Sequence, residues 1–385
     1  MPVPNNELMK DVEHIHAYQD PEHATNQGSI ISLANGELLL GYNQERGLAH
    51  ADSGQSCLIK SRDGGCTWDA STRVVVWPWS EHVGNWDCAF AQIGDGTILM
   101  HTRVCSFMAP TALKNGADQV VGPPPGRRER LKRQTGYALC RSTDNGATWS
   151  NPIPVNTSPI AENGLGPYVC GGSGAGHIIE LPDGGLLMPL HGTITREWLG
   201  NSGERPRCFT LRSDDGGNNW EYWATVGFDP ANILSWAEPG MTRLRNGTLV
   251  CLMRTEARPG RFDNLWATHS KDDGASWSRP ERTPLWGYPA DVLQLEDGRV
   301  LAVYGYRRAP YGVWACISND GIHWPSQNEF VVRAGGVAPT TTREYWHIGY
   351  PSVAQIADGT IVVAYHEYNK DPRPVQGMWV TRFRL

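Results

Sequence analysis

The chain has 385 residues, 40% hydrophobic and 19% charged, so it is globular and long enough for two average domains or one large repeat fold. A net charge of -6 and an isoelectric point near 6.1 give no electrostatic footprint for nucleic acid or for anionic membrane surfaces. The nine cysteines are odd in number and form no CxxC pair, which argues against a disulfide framework and against a cysteine zinc site.

The opening stretch, MPVPNNELMKDVEHIH, has no apolar signal-peptide core, and nowhere does the chain approach the ~18 consecutive apolar residues of a membrane span. A cytoplasmic location is the expectation. From there the chain reads as nearly all-β. Gly (43), Pro (27) and Trp (16) are abundant, and short alternating apolar runs are bounded by Gly and Asp. The first hairpin is SIISLANGELLLGYN, followed by SRDGGCTW from Ser61 to Trp68. AFAQIGDGTILMHTR follows, and then an interruption from Cys105 to Gln134 that includes the Pro/Gly-rich and basic GPPPGRRERLKRQ. STDNGATW begins at Ser142. HIIELPDGGLLMPLH then precedes SDDGGNNW at Ser213, and MTRLRNGTLVCLMR precedes SKDDGASW at Ser270. DVLQLEDGRVLAVYG precedes a shortened SNDGIHW at Ser318, and SVAQIADGTIVVAYH comes last.

Asn-Gly or Asp-Gly between apolar runs is the strongest short-range hairpin signal. Six such hairpins predict six four-stranded blades, with each box in the turn between a blade's third and fourth strands. There its Ser and Asp cap backbone groups while its Trp packs between sheets. Radial repetition of small sheets leaves few open edges, which is the propeller solution. The last blade ends in MWVTRFRL without a fourth strand, so the N-terminal segment near EHIHAYQ is expected to supply it. No composition shift divides the chain. The expectation is one all-β, six-bladed β-propeller over residues 1–385, with 105–134 as an insertion loop of blade 2 on the site face. That loop reads as a basic surface segment or as a lid over the site.

In a propeller the strand entering each hairpin and the strand leaving it meet at one face around the axis. Aligned on the turn glycine, the inbound positions, eight residues before the turn Asn or Asp, are Gln27, Asp87, Ala175, Glu238, Pro289 (with Tyr288 beside it) and Tyr350. The outbound positions, seven residues after the glycine, are Asn43, Arg103, His191, Arg254, Gly305 and His366. Polar groups at matched strand ends, flanked by apolar sequence, point to a shared pocket. No local spacing among its histidines and carboxylates has the form of a metal-ligand motif, so neither a metal nor another cofactor is expected.

The box Ser-x-Asp-x-Gly-x-x-Trp resembles the Asp-box of the sialidase (neuraminidase) superfamily of six-bladed propellers, and the resemblance covers nearly the whole chain. It implies that Glu238 and Arg254, in AEPGMTRLRNGTLVCLMR, are the base and a carboxylate-binding arginine. It likewise implies that Tyr350, in GYPSVAQIADGTIVVAY, is the nucleophile. A phenol with a pKa of about 10 is a poor nucleophile near neutral pH unless a carboxylate takes its proton. The family's general acid lies in the loop after the first hairpin, which here offers Asp52 with His50 and Arg46 nearby; Asp87 competes for the role. A third clamp arginine matches Arg307 or Arg308. The family's N-terminal Arg-Ile-Pro arginine has no counterpart, because TNQGSII carries Asn26 and Gln27 there. His366 stands where the family often has Glu, and His191 and Arg103 are additional.

The favoured expectation is a sialidase-like exo-glycosidase that hydrolyses a terminal acidic sugar of an oligosaccharide or glycoconjugate with retention. Tyr350, Glu238 and Asp52 or Asp87 would be catalytic. His191 and His366 would shuttle protons or hydrogen-bond the substrate, and Arg254, Arg103, Arg307 or Arg308, Asn43, Arg46, Gln27 and Tyr288 would bind it. The alternatives are a polysaccharide lyase cleaving a uronic-acid linkage by β-elimination through Tyr, His and Arg, and a non-catalytic glycan-binding propeller.

Overall fold

A computed structural model describes residues 6–48, 54–108, 119–121, 130–155, 169–171, 176–192, 205–257, 261–308, 310–335, 348–369 and 375–385. These residues form six antiparallel sheets and two short 3-10 turns, and none of them is α-helical. No helix among them is long and apolar enough to cross a membrane.

The six hairpins close identically. In the first, the Gly36 amide donates to the Leu33 carbonyl at 2.9 Å and the Leu33 amide to the Glu37 carbonyl at 2.8 Å. Each turn glycine, from Gly36 (φ 87°) to Gly359 (φ 84°), is left-handed, a conformation that glycine adopts without a Cβ penalty. In blades 1 to 5 the boxes close the turn between the third and fourth strands. Ser142 Oγ accepts the Gly146 amide at 2.8 Å and donates to Asp144 Oδ1 at 2.8 Å, while Asp144 Oδ2 accepts the Thr148 hydroxyl. Box glycines pack on the preceding blade. A Cβ on Gly65 of blade 1 would lie 3.3 Å from Val362 of blade 6, and one on Gly146 of blade 2 would lie 3.4 Å from Leu39 of blade 1.

Blade 1 runs Thr25–Ser32, Leu38–Gln44, Gln55–Ser61, Asp69–Trp77, and the other blades repeat this order outward. Between blades lie apolar clusters, such as Leu39 and Leu58 of blade 1 against Phe90 and Met100 of blade 2. There Phe90 lies directly on Gly41, where any Cβ would come within 2.1 Å of the ring. Blade 6 is completed by the N-terminal strand Lys10–Tyr18, which pairs with Val375–Arg384 in the register Lys10↔Arg384 to Tyr18↔Met378. Part of the 105–134 interruption is strand. The ladder of blade 2 continues through Cys105↔Gln134 to Met108↔Leu131, and Gln119–Val121 pairs alongside. Residues 109–118 and 122–129 lie outside the described residues.

Around the axis the innermost strands share a polar hub. His177 of blade 3 bonds the Phe90 carbonyl of blade 2 through Nδ1 at 2.6 Å, and its Nε2 lies 3.3 Å from Asp291 Oδ2 of blade 5. The same Asp291 oxygen accepts the Ser352 hydroxyl (3.0 Å) and the Val353 amide (2.9 Å) of blade 6. Ser352 Oγ in turn accepts the Ile30 amide of blade 1 at 3.1 Å. Five of the six blades are thereby joined by hydrogen bonds to buried groups.

Candidate active site

Both rings end at the same face. Four inbound residues share an unusual backbone, with left-handed φ of 56° at Gln27, 61° at Asp87, 47° at Glu238 and 48° at Tyr350. Each sits in a β-bulge, where the register slips between Asn26 and Ser29, Trp86 and Ala89, Ala237 and Gly240, and Gly349 and Ser352. A bulge takes a residue out of the strand's alternation and re-aims its side chain. For residues with a Cβ, the left-handed conformation costs on the order of 1–3 kcal/mol each, a strain that clusters at functional sites. In blade 5 the Tyr288–Pro289 peptide is cis, and Ala175 of blade 3 lies outside the described residues.

The best-connected side chain is Glu238, which is 7% exposed. Its Oε1 accepts the Tyr350 hydroxyl at 3.1 Å, and Arg254 Nη1 reaches both of its oxygens at 3.0 and 2.9 Å. Arg254 Nη2 donates to Glu256 Oε1 at 3.0 Å. Burial works against the Glu238 charge, but Arg254, with Arg307 behind it, more than offsets this and holds the carboxyl below its usual range. Burial, reinforced by the negative charge of Glu238, pushes the Tyr350 hydroxyl well above the usual phenol range. At rest the pair is therefore a neutral phenol hydrogen-bonded to a carboxylate.

Arg307 lies 4.8 Å from the ring centroids of both Tyr350 and Tyr288, and Arg254 lies 4.6 Å from that of Tyr288. Arg308 is exposed and stacks instead on Trp286 at 3.6 Å, so of the two neighbours it is Arg307 that packs against Tyr350. Blade 2 repeats the acid–arginine pairing of blade 4, with Arg103 Nη2 3.3 Å from Asp87 Oδ2 and both residues buried. The His366 ring is 5.6 Å from that of Tyr350, and its Nδ1 accepts the Gln27 amide at 3.4 Å. His191 Nδ1 accepts the Glu238 amide at 3.1 Å, and Asn43 Oδ1 accepts the Cys88 amide at 3.2 Å. Arg46 bonds the Val83 carbonyl at 2.7 Å and sits 5.7 Å from the Trp79 ring, on the connection between blades 1 and 2. Asp52 and His50 lie outside the described residues.

Two groups escaped the alignment of hairpins. Glu256 lies two residues beyond Arg254 on the same strand, and period-2 alternation would have placed it on the same face. Asp291 is the one charged residue of the short inner strand Ala290–Gln294. Among the described residues no group of three or more His, Cys, Asp and Glu side chains is arranged to hold a metal ion.

Residues 120–363, well over half the chain, match the BNR repeat-like domain. The chain belongs to the BNR repeat-like family. This BNR propeller is 25% identical over 360 residues to a sialidase of Bacteroides fragilis, across 89% of this chain and 58% of that one. It thus spans less than two thirds of that relative's length. Among solved structures, a Dyadobacter fermentans protein of unknown function superposes with a TM-score of 0.79 at 25% identity, covering 98% of this chain and 99% of that one. A sialidase of Streptococcus pneumoniae follows with a TM-score of 0.67 at 13% identity, over 96% of this chain and 70% of that one. An α-L-arabinanase of Penicillium chrysogenum gives 0.55 at 15% identity, over 99% and 98%. At those last two identities the likeness is one of fold.

Proposed function

We propose that this BNR propeller is a glycosidase that removes a terminal acidic sugar with retention, using Tyr350 as nucleophile and Glu238 as its base. The observation that carries the reading is the 3.1 Å hydrogen bond from Tyr350 to a carboxylate that Arg254 keeps ionised. The sialidase relative supports the reaction class. In the first step the bond from Tyr350 Oη to the anomeric carbon forms as the glycosidic C–O bond breaks. The phenolic proton passes to Glu238, and an acid, Asp87 or Asp52, protonates the departing oxygen. Water, deprotonated by the carboxylate that this acid has become, then displaces the tyrosine, whose oxygen takes its proton back from Glu238, so that all three groups are restored. A neutral phenol meets an anionic sugar with less repulsion than a carboxylate would, and a tyrosine nucleophile is one of the exceptions to the two-carboxylate scheme of glycosidases. Arg307, stacked on the Tyr350 ring, stabilises the phenolate character that develops as the intermediate breaks down. Arg254 and Arg307 bind the substrate carboxylate, with Arg103 contributing from blade 2.

The test is trapping with a fluorinated acidic sugar followed by intact-protein mass. An adduct on Tyr350 is expected, with Tyr350→Phe and Glu238→Gln each lowering kcat by roughly 10²–10⁴-fold and not additively. An unmodified protein that releases an unsaturated, ultraviolet-absorbing product would establish β-elimination instead and overturn the proposal.

A further inference from the structure

The left-handed bulges that aim the inbound residues leave their backbone amides out of the strand ladder and buried. In two blades the amide of the inbound residue itself is taken up by the outbound side chain of the preceding blade, and in a third the amide one residue later is. Asn43 of blade 1 accepts the Cys88 amide, next to Asp87, at 3.2 Å. His191 of blade 3 accepts the Glu238 amide at 3.1 Å, and His366 of blade 6 accepts the Gln27 amide at 3.4 Å. At the junction of blades 5 and 6 the outbound residue is Gly305, and the chain itself closes in. A Cβ there would lie 3.3 Å from Gly349 Cα and 3.7 Å from the Tyr350 nitrogen.

We infer that His191 is the positioning residue for Glu238, its Nδ1 serving as the acceptor that holds the bulge from which the carboxylate reaches Tyr350. The chemistry of the ring fixes what this requires. An imidazole nitrogen that accepts an amide N–H carries no proton, so the neutral ring bears its hydrogen on Nε2. Nδ1 is then occupied by the backbone and is not the atom that moves protons in turnover. The protein offers a related contact, because Asn43 of blade 1 accepts the amide one residue past Asp87 through its side-chain oxygen, an acceptor of the kind Nδ1 provides at Glu238. Asparagine should therefore substitute for His191 while alanine should not.

The kinetic consequence rests on Glu238 being the base of Tyr350; the hydrogen bond does not, and the experiment separates the two. Long-range 15N–1H correlation on the full chain, without substrate, reads the tautomer of His191. An unprotonated Nδ1 and a protonated Nε2 are expected, and a protonated Nδ1 at neutral pH overturns the inference even if the enzyme is fully active. With an acidic aryl glycoside, His191→Asn should keep kcat within about 3-fold, whereas His191→Ala should lose about 100-fold in kcat with KM little changed, the scale of a misplaced catalytic group. A His191→Ala enzyme with wild-type kcat would refute positioning. A His191→Asn enzyme as impaired as His191→Ala would show that the ring acts by other means, and would refute it equally. If alanine prevents folding, seen as loss of the β-sheet circular dichroism, the tautomer and the asparagine variant still decide. Should the wild-type protein turn over no acidic glycoside, the functional proposal falls while the nitrogen signal continues to judge the positioning role.

Discussion

Replacing Asp291 by alanine should loosen the whole ring. The carboxylate is 1% exposed and joins blades 5, 6 and 3 through Ser352, Val353 and His177. Truncation strands a buried amide, a hydroxyl and the partner imidazole at once. Breaking a buried, hydrogen-bonded pair by removing one member costs about 3–5 kcal/mol. For 385 residues, at about 2.1 cal/mol/K of unfolding entropy each, the slope is roughly 0.8 kcal/mol per degree. The melting temperature should then fall by about 4–6 °C. The effect depends on pH with a definite sign. Burial alone would lower the pKa of His177, but the charge and hydrogen bond of Asp291 outweigh it and raise the group above 6.5. A raised histidine contributes stability that is complete below pH 6.5 and is lost as pH rises through its folded value. The gap between wild type and Asp291→Ala should thus be widest on the acidic side and narrow towards alkaline pH. Asp291→Asn, which keeps one acceptor oxygen but no charge, should be milder than alanine, and its gap to wild type should likewise be widest on the acidic side, because the charge that raises His177 is gone. Differential scanning calorimetry across that range reads all three. An Asp291→Ala protein melting within about 1 °C of wild type under acidic conditions, or a gap that widens as pH rises, would refute the reasoning.

Three further outcomes follow from the geometry. Arg254→Lys keeps a charge but loses the fork that serves Glu238 and Glu256 together, so ligand affinity measured calorimetrically should drop by about tenfold with the fold intact. Arg307→Lys should weaken binding in the same assay, whereas Arg308→Lys, altering only a residue stacked on Trp286, should not. Ser142→Ala removes the group that accepts the Gly146 amide and donates to Asp144, and should cost about 1–2 kcal/mol in denaturant unfolding. Its kcat should be unchanged, because the boxes lie at the opposite end of the strands from Tyr350.

The fold was legible because its signals are local. Asn35-Gly36 and its five counterparts, together with the Ser–Asp–Trp boxes, are short stretches whose backbone needs are met by their own residues. The closing strand could be inferred because a sheet edge has to be paired, and Lys10–Tyr18 pairs it. Aligning the hairpins also brought Glu238, Arg254 and Tyr350 to one face, since strand geometry carries register from the turn to the strand end. It could not reveal the bulges. Left-handed Glu238 or Gln27 is dictated by contacts with the neighbouring blade and not by flanking sequence. For the same reason His191 and His366 read as proton carriers in the sequence, while their Nδ1 atoms are engaged by backbone amides of the next blade. Arg307 and Arg308 are equivalent as sequence, and only Tyr350 and Trp286, distant in the chain, distinguish them.

The strand pairing that completes blade 6 has a practical corollary. Tyr18 lies opposite Met378, which also pairs with His366 on the reactive side, whereas Lys10 lies opposite Arg384 at the far end of the same ladder. Both ends of the described strands therefore emerge together on the underside. A group attached beside Lys10 or Arg384 would project away from the pocket mouth. The propeller could be displayed on a solid support, or joined end to end by a short peptide and reopened at another blade's Asn-Gly turn, without obstructing the approach of a bulky glycan.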